Sequence, residues 1–190
     1  MAVHLINPSD NSFGTAVITP RWLFVLAAAT PVAMGDPILV DESLEQLDPE
    51  TIQAGDVVGI SVHTGNALRG YEVGKIAHAR GATVVYGGIH ATLFPDEPFE
   101  RGAADVVVKG DGDVAWGHVL RDLKAGFAKL VYDGGKIEGE QFLAARWDLM
   151  QTDNICGLPC RRSADAQSTV PSARSGARMD RSQDRDPLRR

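Results

Sequence analysis

The sequence has only two cysteines and no long apolar segment. Both cysteines, Cys156 and Cys160, lie near the carboxyl end, and the first 155 residues contain none. This distribution argues against a disulfide scaffold and fits the reducing cytoplasm. The longest apolar segment, residues 22–29, is far shorter than the roughly 20 residues that cross a bilayer. No basic start precedes an apolar signal core, so the sequence indicates neither a membrane protein nor an exported one.

Clustered positive charge and phosphate-binding motifs are also lacking. The formal net charge is −6 over 190 residues, which argues against a non-specific nucleic-acid binder, because neutralising phosphates needs clustered Lys and Arg. No phosphate-binding loop of the lysine type is present, and no G-x-G-x-x-G follows the first predicted strand, which argues against a dinucleotide site. The acidic residues within 109–113 do not have the spacing of a calcium loop and instead predict a turn before a helix.

The composition changes near Met150. All aromatic residues lie at or before Trp147, whereas residues 151–190 contain eight Arg, five Asp, no Lys and no Glu. Such a segment cannot bury enough apolar surface to offset the entropy lost on ordering it. We therefore predict one domain over residues 1–147 and a disordered tail over residues 148–190. Residues 1–150 carry 11 basic and 20 acidic groups, so the predicted domain is acidic and its tail is not.

Strands and helices alternate along the predicted domain, with short connections. This order predicts an α/β fold with a doubly wound parallel sheet, of the flavodoxin-like or Rossmann-like kind. Thr19 is predicted to cap the first helix, with Pro20 at its first position. The predicted strands cover residues 3–7, 38–40, 56–62, 84–86, 105–108 and 129–132, and the predicted helices cover residues 20–29, 68–80 and 113–124.

Small and hydroxyl residues follow four of the predicted strands, at the sheet edge where open α/β sheets bind ligands. The most informative loop follows the fourth strand, where Gly87 and Gly88 lack Cβ atoms, so that a flat ligand can lie directly on the backbone. An ordinary strand-to-loop turn is the alternative interpretation of this pair. The other loops contribute Asn7 after the first strand, Ser61, His63 and Thr64 after the third, and Gly110 and Gly112 after the fifth.

Five segments together resemble a known family. They are Ile6-Asn7-Pro8, Thr19-Pro20, Val58-Gly59-Ile60-Ser61, Val85-Tyr86-Gly87-Gly88-Ile89-His90-Ala91-Thr92 and Val108-Lys109-Gly110-Asp111-Gly112-Asp113. This set resembles the cobalamin (B12)-binding domain at the amino end of B12-dependent radical S-adenosylmethionine enzymes, over roughly residues 3–147. The resemblance implies that Ser61, Gly87 and Gly88 surround the dimethylbenzimidazole tail of the cofactor. The full set of candidate cofactor-binding residues is Asn7, Ser61, His63, Thr64, Gly87, Gly88, His90, Ala91, Thr92, Gly110 and Gly112.

One departure from the wider B12-binding fold concerns the cobalt ligand. The mutase and methionine synthase branch has Asp-x-His-x-x-Gly after its first strand, whereas residues 7–12 of this sequence contain no histidine. The radical branch commonly lacks this histidine too, so the resemblance still implies cobalamin as the cofactor, with the lower axial position of cobalt open. We predict neither a metal ligand nor a catalytic residue in this chain.

The tail carries an incomplete cluster motif. Radical S-adenosylmethionine enzymes hold a [4Fe–4S] cluster with Cys-x3-Cys-x2-Cys, whereas Cys156 and Cys160 have only the first gap and no third cysteine follows. Read one nucleotide out of frame, with permitted synonymous codons, the tail can encode the complete motif at this position. We therefore predict a frameshifted, truncated product that lacks the radical S-adenosylmethionine barrel, so that the cluster and S-adenosylmethionine belong only to the intact parent. The alternatives are a stand-alone corrinoid carrier or sensor module and a flavodoxin-like domain that binds another ligand.

Overall fold

The computed structural model describes residues 1–10 and 19–150 of the chain. The predicted doubly wound α/β fold is confirmed, since six parallel strands form one sheet in the order β2-β1-β3-β4-β5-β6 with helices beside it. Within these residues, no helix is both long and apolar enough to cross a membrane. The strands are β1 (Val3–Asn7), β2 (Ile38–Asp41), β3 (Val57–Ser61), β4 (Thr83–Gly87), β5 (Val106–Lys109) and β6 (Val131–Asp133). The helices are α1 (Arg21–Ala29), α2 (Ala67–Ala79), α3 (Ile89–Leu93), α4 (Glu97–Arg101) and α5 (Gly112–Ala125).

Both faces of the sheet are covered, which explains why its strands are almost continuously apolar. Successive side chains of a strand point to opposite faces, so each strand contributes to two separate cores. One core contains Leu5, Val57 and Val85 together with residues of α1 and α5. The other core contains Val58 and Tyr86 together with residues of α2 and α3.

The strand order changes direction at β1, which pairs with β2 on one side and with β3 on the other. The connections on either side of this point lie on opposite faces, because α1 packs in the first core and α2 in the second. Such a switch point leaves a crevice at the carboxyl ends of the strands, and open α/β sheets bind ligands there. The topology alone therefore marks this edge for a site.

The structure corrects one predicted helix cap, shifts other predicted boundaries by one or two residues and adds two helices. Helix α1 begins at Arg21, and Pro20 occupies the N-cap with φ −74° and ψ 88°; the prediction that Thr19 caps this helix is wrong, because Pro20 is outside the helical conformation. Helices α3 and α4 were not predicted, because each has only five residues, which is too short for a helical periodicity to show. Gly126 ends α5, in the left-handed conformation with φ 78°.

The segment before residue 151 packs against α1. A short 3-10 helix covers Trp147–Leu149, and the Trp147 ring lies with its centroid 4.8 Å from that of Phe24. The backbone N–H of Arg146 donates to the carbonyl of Phe24 at 2.9 Å. Leu149 and Met150, which the composition assigns to the tail, also pack against the core that contains Phe24. Residues 151–190, including Cys156 and Cys160, lie outside the described residues.

Candidate ligand cleft at the carboxyl edge of the sheet

A cleft of about 400 Å³ opens at the carboxyl ends of β3, β4 and β5, on the face that α1 and α5 cover. Its size is in the range of small-molecule sites, roughly 300–1,000 Å³. The sheet contributes strand residues to the floor, and the helices contribute two tryptophans to the walls. The lining includes Trp22, Gly59, Ser61, Gly87, Gly88, Thr92, Gly110, Asp111, Gly112, Asp113 and Trp116.

The floor of the cleft depends on a close approach between Gly59 and Trp116. A Cβ atom at Gly59 would lie 2.8 Å from Cη2 of Trp116, which is closer than real carbon atoms approach. Glycine in the middle of β3 therefore allows the indole of α5 to lie directly on the strand. The Nε1–H of Trp116 donates to Oγ1 of Thr30 at 3.0 Å, so the indole is held by a buried hydrogen bond.

One wall of the cleft is the indole of Trp22, held by Asn7. The Nε1–H of Trp22 donates to Oδ1 of Asn7 at 3.4 Å. The Nδ2 of Asn7 in turn donates to Oδ1 of Asp41 at 2.9 Å, and this fixes which end of the amide faces Trp22. Asn7, a predicted cofactor contact, thus lies behind the wall and orients it.

Gly87 and Gly88 both line the cleft, but they do so for different reasons. A Cβ atom at Gly87 would approach the carbonyl oxygen of Val108 no closer than 3.9 Å, so the space that Gly87 leaves open belongs to the cleft. Gly88 has φ +91°, and a Cβ atom there would lie 2.6 Å from the carbonyl oxygen of Val62 and 2.7 Å from Oγ of Ser61. Gly88 is therefore required by the backbone, whereas Gly87 leaves room for a ligand.

Thr92 joins two of the loops that form the cleft. Its hydroxyl donates to the carbonyl of Gly88 at 2.9 Å and accepts from the N–H of Gly110 at 3.0 Å. The first contact closes α3 onto the Gly-Gly pair, and the second connects α3 to the turn before α5. The hydroxyl of Thr92 is therefore engaged within the protein. The hydroxyl of Ser61, by contrast, has no hydrogen-bond partner among the described residues.

The side chain of His90 lies on the other face of the sheet, in a hydrogen-bonded chain. His90 is 7% exposed, its Nε2 lies 2.8 Å from Oε2 of Glu97, and its Nδ1 lies 3.3 Å from Oγ1 of Thr64. The hydroxyl of Tyr71 donates to the same Glu97 oxygen at 3.0 Å. The hydrogen bond with His90, and then that from Tyr71, hold the pKa of Glu97 below its usual value. Ala91, the next residue, lies in the second core.

His63 lies in the loop after β3, outside the cleft. Its ring is partly exposed, with Nε2 3.4 Å from Oδ2 of Asp10, and its Nδ1 accepts from the N–H of Gly65 at 3.2 Å. Both ring nitrogens therefore have partners within the protein. Among the described residues, no group of three or more His, Cys, Asp or Glu side chains could hold a metal ion.

The charged groups of the cleft are acidic. None of the described residues that line it is a lysine, arginine or histidine, whereas Asp111 and Asp113 both line it. Oδ2 of Asp111 accepts from the backbone N–H of Ile137 at 2.9 Å. Burial, and then the charge of Asp111, raise the pKa of Asp113, and nearby Arg21 partly opposes them. The cleft is thus suited to a flat, uncharged group and unfavourable for a phosphate.

The structure brings together six of the eleven predicted cofactor-binding residues. Ser61, Gly87, Gly88, Thr92, Gly110 and Gly112 line the cleft, whereas Asn7, His63, Thr64, His90 and Ala91 do not. Three further lining residues, Trp22, Trp116 and Asp113, are not indicated by the sequence alone. The two tryptophans lie on predicted helices, where an aromatic residue indicates a core position as readily as a site, and Asp113 was interpreted only as part of a turn.

Comparison with known proteins gives distant similarities. No family model matches the chain. The bacteriochlorophyllide d C-8(2)-methyltransferase of Chlorobaculum tepidum is 38% identical over 78 residues, which are 41% of this chain and 17% of that protein. The bacteriochlorophyllide d C-12(1)-methyltransferase of the same organism is 30% identical over 103 residues, which are 54% of this chain and 22% of that protein. The chain thus spans about a fifth of the length of these relatives.

A solved structure shares the fold. It is that of TsrM, a radical S-adenosylmethionine methyltransferase from Kitasatospora setae, with a tryptophan substrate and an analogue of S-adenosylmethionine bound. It matches with a TM-score of 0.53 and 22% sequence identity, over 66% of this chain and 26% of that one. The chain is therefore distantly similar in sequence to methyltransferases and similar in fold to one region of a radical S-adenosylmethionine methyltransferase.

Proposed function

We propose that the domain binds cobalamin and holds the dimethylbenzimidazole base of its tail, with the attached sugar, in the cleft. The observation that carries the proposal is the position of Ser61 and Gly87, which line one cleft beside the indoles of Trp22 and Trp116. A flat aromatic base would lie on the open backbone at Gly87, between apolar walls, within reach of the hydroxyl of Ser61. Gly88, Thr92, Gly110 and Gly112 would form the loops around it.

The size and charge of the cleft are compatible with this part of the cofactor. A cleft of about 400 Å³ admits a base and its sugar but not a whole corrinoid, so the corrin ring would lie outside, above the carboxyl edge. When bound, cobalamin would supply a cobalt centre that can carry a methyl group. The residues of this chain would orient the tail and exclude water from it. Contacts of Asn7, His63, Thr64, His90 and Ala91 with the cofactor stay a prediction.

We further propose that the domain is the cobalamin-binding module of a B12-dependent radical S-adenosylmethionine enzyme. The similarity to methyltransferases supports this, as does the fold shared with TsrM. A [4Fe–4S] cluster and S-adenosylmethionine would be bound by the barrel of the intact parent. That barrel would cover exposed apolar residues next to the Gly-Gly loop, where Ile89, Leu93 and Phe94 are 64%, 63% and 51% exposed.

Binding of hydroxocobalamin to the full chain tests the proposed cofactor. We expect about one equivalent to co-elute with the protein on gel filtration, with quenching of tryptophan fluorescence because Trp22 and Trp116 line the cleft. Cobinamide, which has the corrin ring but no nucleotide tail, is the matched control and should bind more weakly by about tenfold or more. Binding of flavin mononucleotide without binding of hydroxocobalamin would favour the flavodoxin-like alternative. Equal binding of cobinamide and hydroxocobalamin would contradict the assignment of the cleft to the tail.

The nucleotide sequence tests the proposed change of reading frame. If one nucleotide is shifted, the codons of Asp165, Thr169 and Ser172 each end in T, so that the first two bases of the following codons complete three cysteine codons. The codon of Ser168 is of the AG type, which supplies the lysine and histidine between the first two cysteines. A different third base at any of those three positions would reject the frameshift and leave the stand-alone carrier as the better interpretation. A stop codon early in the shifted frame would have the same consequence.

A further inference from the structure

Most polar groups around the cleft are already engaged within the protein. The indole N–H groups of Trp22 and Trp116 donate to Asn7 and Thr30. The hydroxyl of Thr92 bonds to Gly88 and Gly110. These groups shape the cleft, but the donors and acceptors named here are already used in hydrogen bonds within the protein.

Asp113 differs from these groups. It lines the cleft in the first turn of α5, and in the described part of the chain no other residue forms a hydrogen bond or a close ion pair with its carboxylate. The charged groups that act on it are Asp111, from the turn before α5, and Arg21, at the start of α1. Asp111 already accepts from the N–H of Ile137 at 2.9 Å, so its carboxylate is partly engaged.

An ionised carboxylate can only accept hydrogen bonds. A carboxylate that lines an apolar cleft and bonds only to its own backbone N–H has further lone pairs that a ligand donor can occupy. Burial and the charge of Asp111 raise the pKa of Asp113, whereas Arg21 and the residue's own backbone N–H oppose them. Among the described residues of the cleft lining, Asp113 and Ser61 thus present side-chain oxygens that no other residue engages.

We propose that Asp113 selects ligands by accepting a hydrogen bond from a donor attached to the flat ring in the cleft. In the base of cobalamin neither ring nitrogen carries a hydrogen, so the donor from this cofactor is a hydroxyl of the attached sugar, whereas a free base would offer a ring N–H instead. The same carboxylate repels anionic rings, so the cleft distinguishes neutral donor-bearing rings from donor-free and anionic ones. This inference rests on the proposed function and adds the group that decides specificity.

Three small ligands separate the two donors, with the full chain and isothermal titration calorimetry. Benzimidazole offers a ring N–H, benzimidazole riboside offers sugar hydroxyls, and 1-methylbenzimidazole offers neither. We expect the wild-type chain to bind one of the first two about tenfold more tightly than 1-methylbenzimidazole, as a hydrogen bond to a charged acceptor allows. The tighter of the two identifies the donor.

Asp113→Ala should remove this preference, and Asp113→Asn, which keeps an acceptor oxygen without the charge, should retain part of it. The control is Asp96→Ala. Asp96 occupies the N-cap of α4, is exposed, makes no cap hydrogen bond and lies outside the cleft. The ligand preference of this variant should equal that of wild type. Circular dichroism establishes that each variant is folded.

The outcomes separate the two proposals. If wild type binds hydroxocobalamin but Asp113→Ala keeps the full preference among the three small ligands, the role of Asp113 is rejected and the proposed function stands. If wild type shows no preference for either donor, the role of Asp113 is likewise rejected. If wild type binds neither hydroxocobalamin nor any of the small ligands, the proposed function is rejected and the role of Asp113 is rejected with it.

Discussion

The hydroxyl of Thr92 accepts a hydrogen bond from the backbone N–H of Gly110 at 3.0 Å, although the two residues follow different strands. Thr92 lies in the helix after β4, and Gly110 lies in the turn after β5. A second contact of the same hydroxyl, with the carbonyl of Gly88 at 2.9 Å, fixes its orientation. One small side chain therefore sets the distance between two edges of the cleft.

Replacing Thr92 with valine tests this connection. Valine has the same shape but no hydroxyl, so the N–H of Gly110 loses its partner, and we expect the free energy of unfolding to fall by about 1–3 kcal/mol. Urea unfolding followed by circular dichroism measures this loss. Thr92→Ser keeps the hydroxyl and should remain closer to wild type. Equal losses in the two variants would mean that packing of the methyl group, and not the hydrogen bonds, is what matters at this position.

The pH dependence of stability tests the pair of His90 and Glu97. The hydrogen bonds from His90 and Tyr71 hold the pKa of Glu97 below the usual 4.5. A carboxylate with a lowered pKa in the folded state stabilises the protein above its unfolded pKa, and this contribution disappears as the pH falls through the folded pKa. We therefore expect Glu97→Gln to be less stable than wild type at pH 7, with a difference that shrinks as the pH is lowered below 4.5.

Urea unfolding at several pH values measures that difference. The control is Glu100→Gln, on the same short helix, where the glutamate is exposed and the same change of charge should have little effect. A difference between wild type and Glu97→Gln that stays constant down to acid pH would show that the ionised form of Glu97 contributes nothing. The same result would mean that packing, and not the charge of Glu97, stabilises the hydrogen-bonded side chains of Thr64, His90, Glu97 and Tyr71.

The sequence predicted the order of the strands and helices because their apolar patterns are long enough to distinguish a strand from a helix. It also predicted that Ser61, Gly87 and Gly110 meet at one edge, since the carboxyl ends of parallel strands converge there. It did not reveal the direction of the His90 side chain, because that depends on α3, a helix of five residues without a readable period. Nor did it show that Trp116 reaches the cleft, because this depends on its contact with Gly59, which lies far away in sequence.

The contact between Asn7 and Trp22 leads to a further prediction, about the effect of Asn7 on ligand binding. Its amide accepts from Trp22 at 3.4 Å and donates to Asp41 at 2.9 Å, so Asn7→Leu would release the indole of Trp22. We expect the tryptophan emission to change and the affinity for hydroxocobalamin to fall by about three- to tenfold, with the protein still folded. The control is Asn7→Asp, which keeps the acceptor for Trp22 but places a like charge beside Asp41. An affinity that is unchanged in Asn7→Leu would show that the wall does not need to be oriented.

The two adjacent glycines give a test in which stability and binding separate. A Cβ atom at Gly88 would lie 2.6 Å from the carbonyl oxygen of Val62, at φ +91°, so Gly88→Ala should destabilise the fold by about 1–3 kcal/mol or more. A Cβ atom at Gly87 would have contacts no closer than 3.9 Å, so Gly87→Ala should fold with nearly unchanged stability. The added methyl group would nevertheless enter the space proposed for the ligand.

We therefore expect Gly87→Ala to bind hydroxocobalamin about tenfold more weakly than wild type while unfolding at the same urea concentration. Gly139→Ala is the matched control, because a Cβ atom there meets nothing within 4 Å and Gly139 lies outside the cleft; both its stability and its affinity should equal those of wild type. Weakened binding in Gly87→Ala alone would locate the ligand on the backbone of β4, since no loss of structure could account for it. Unchanged binding in a folded Gly87→Ala variant would mean that the pair forms only a turn, with Gly88 as its essential member.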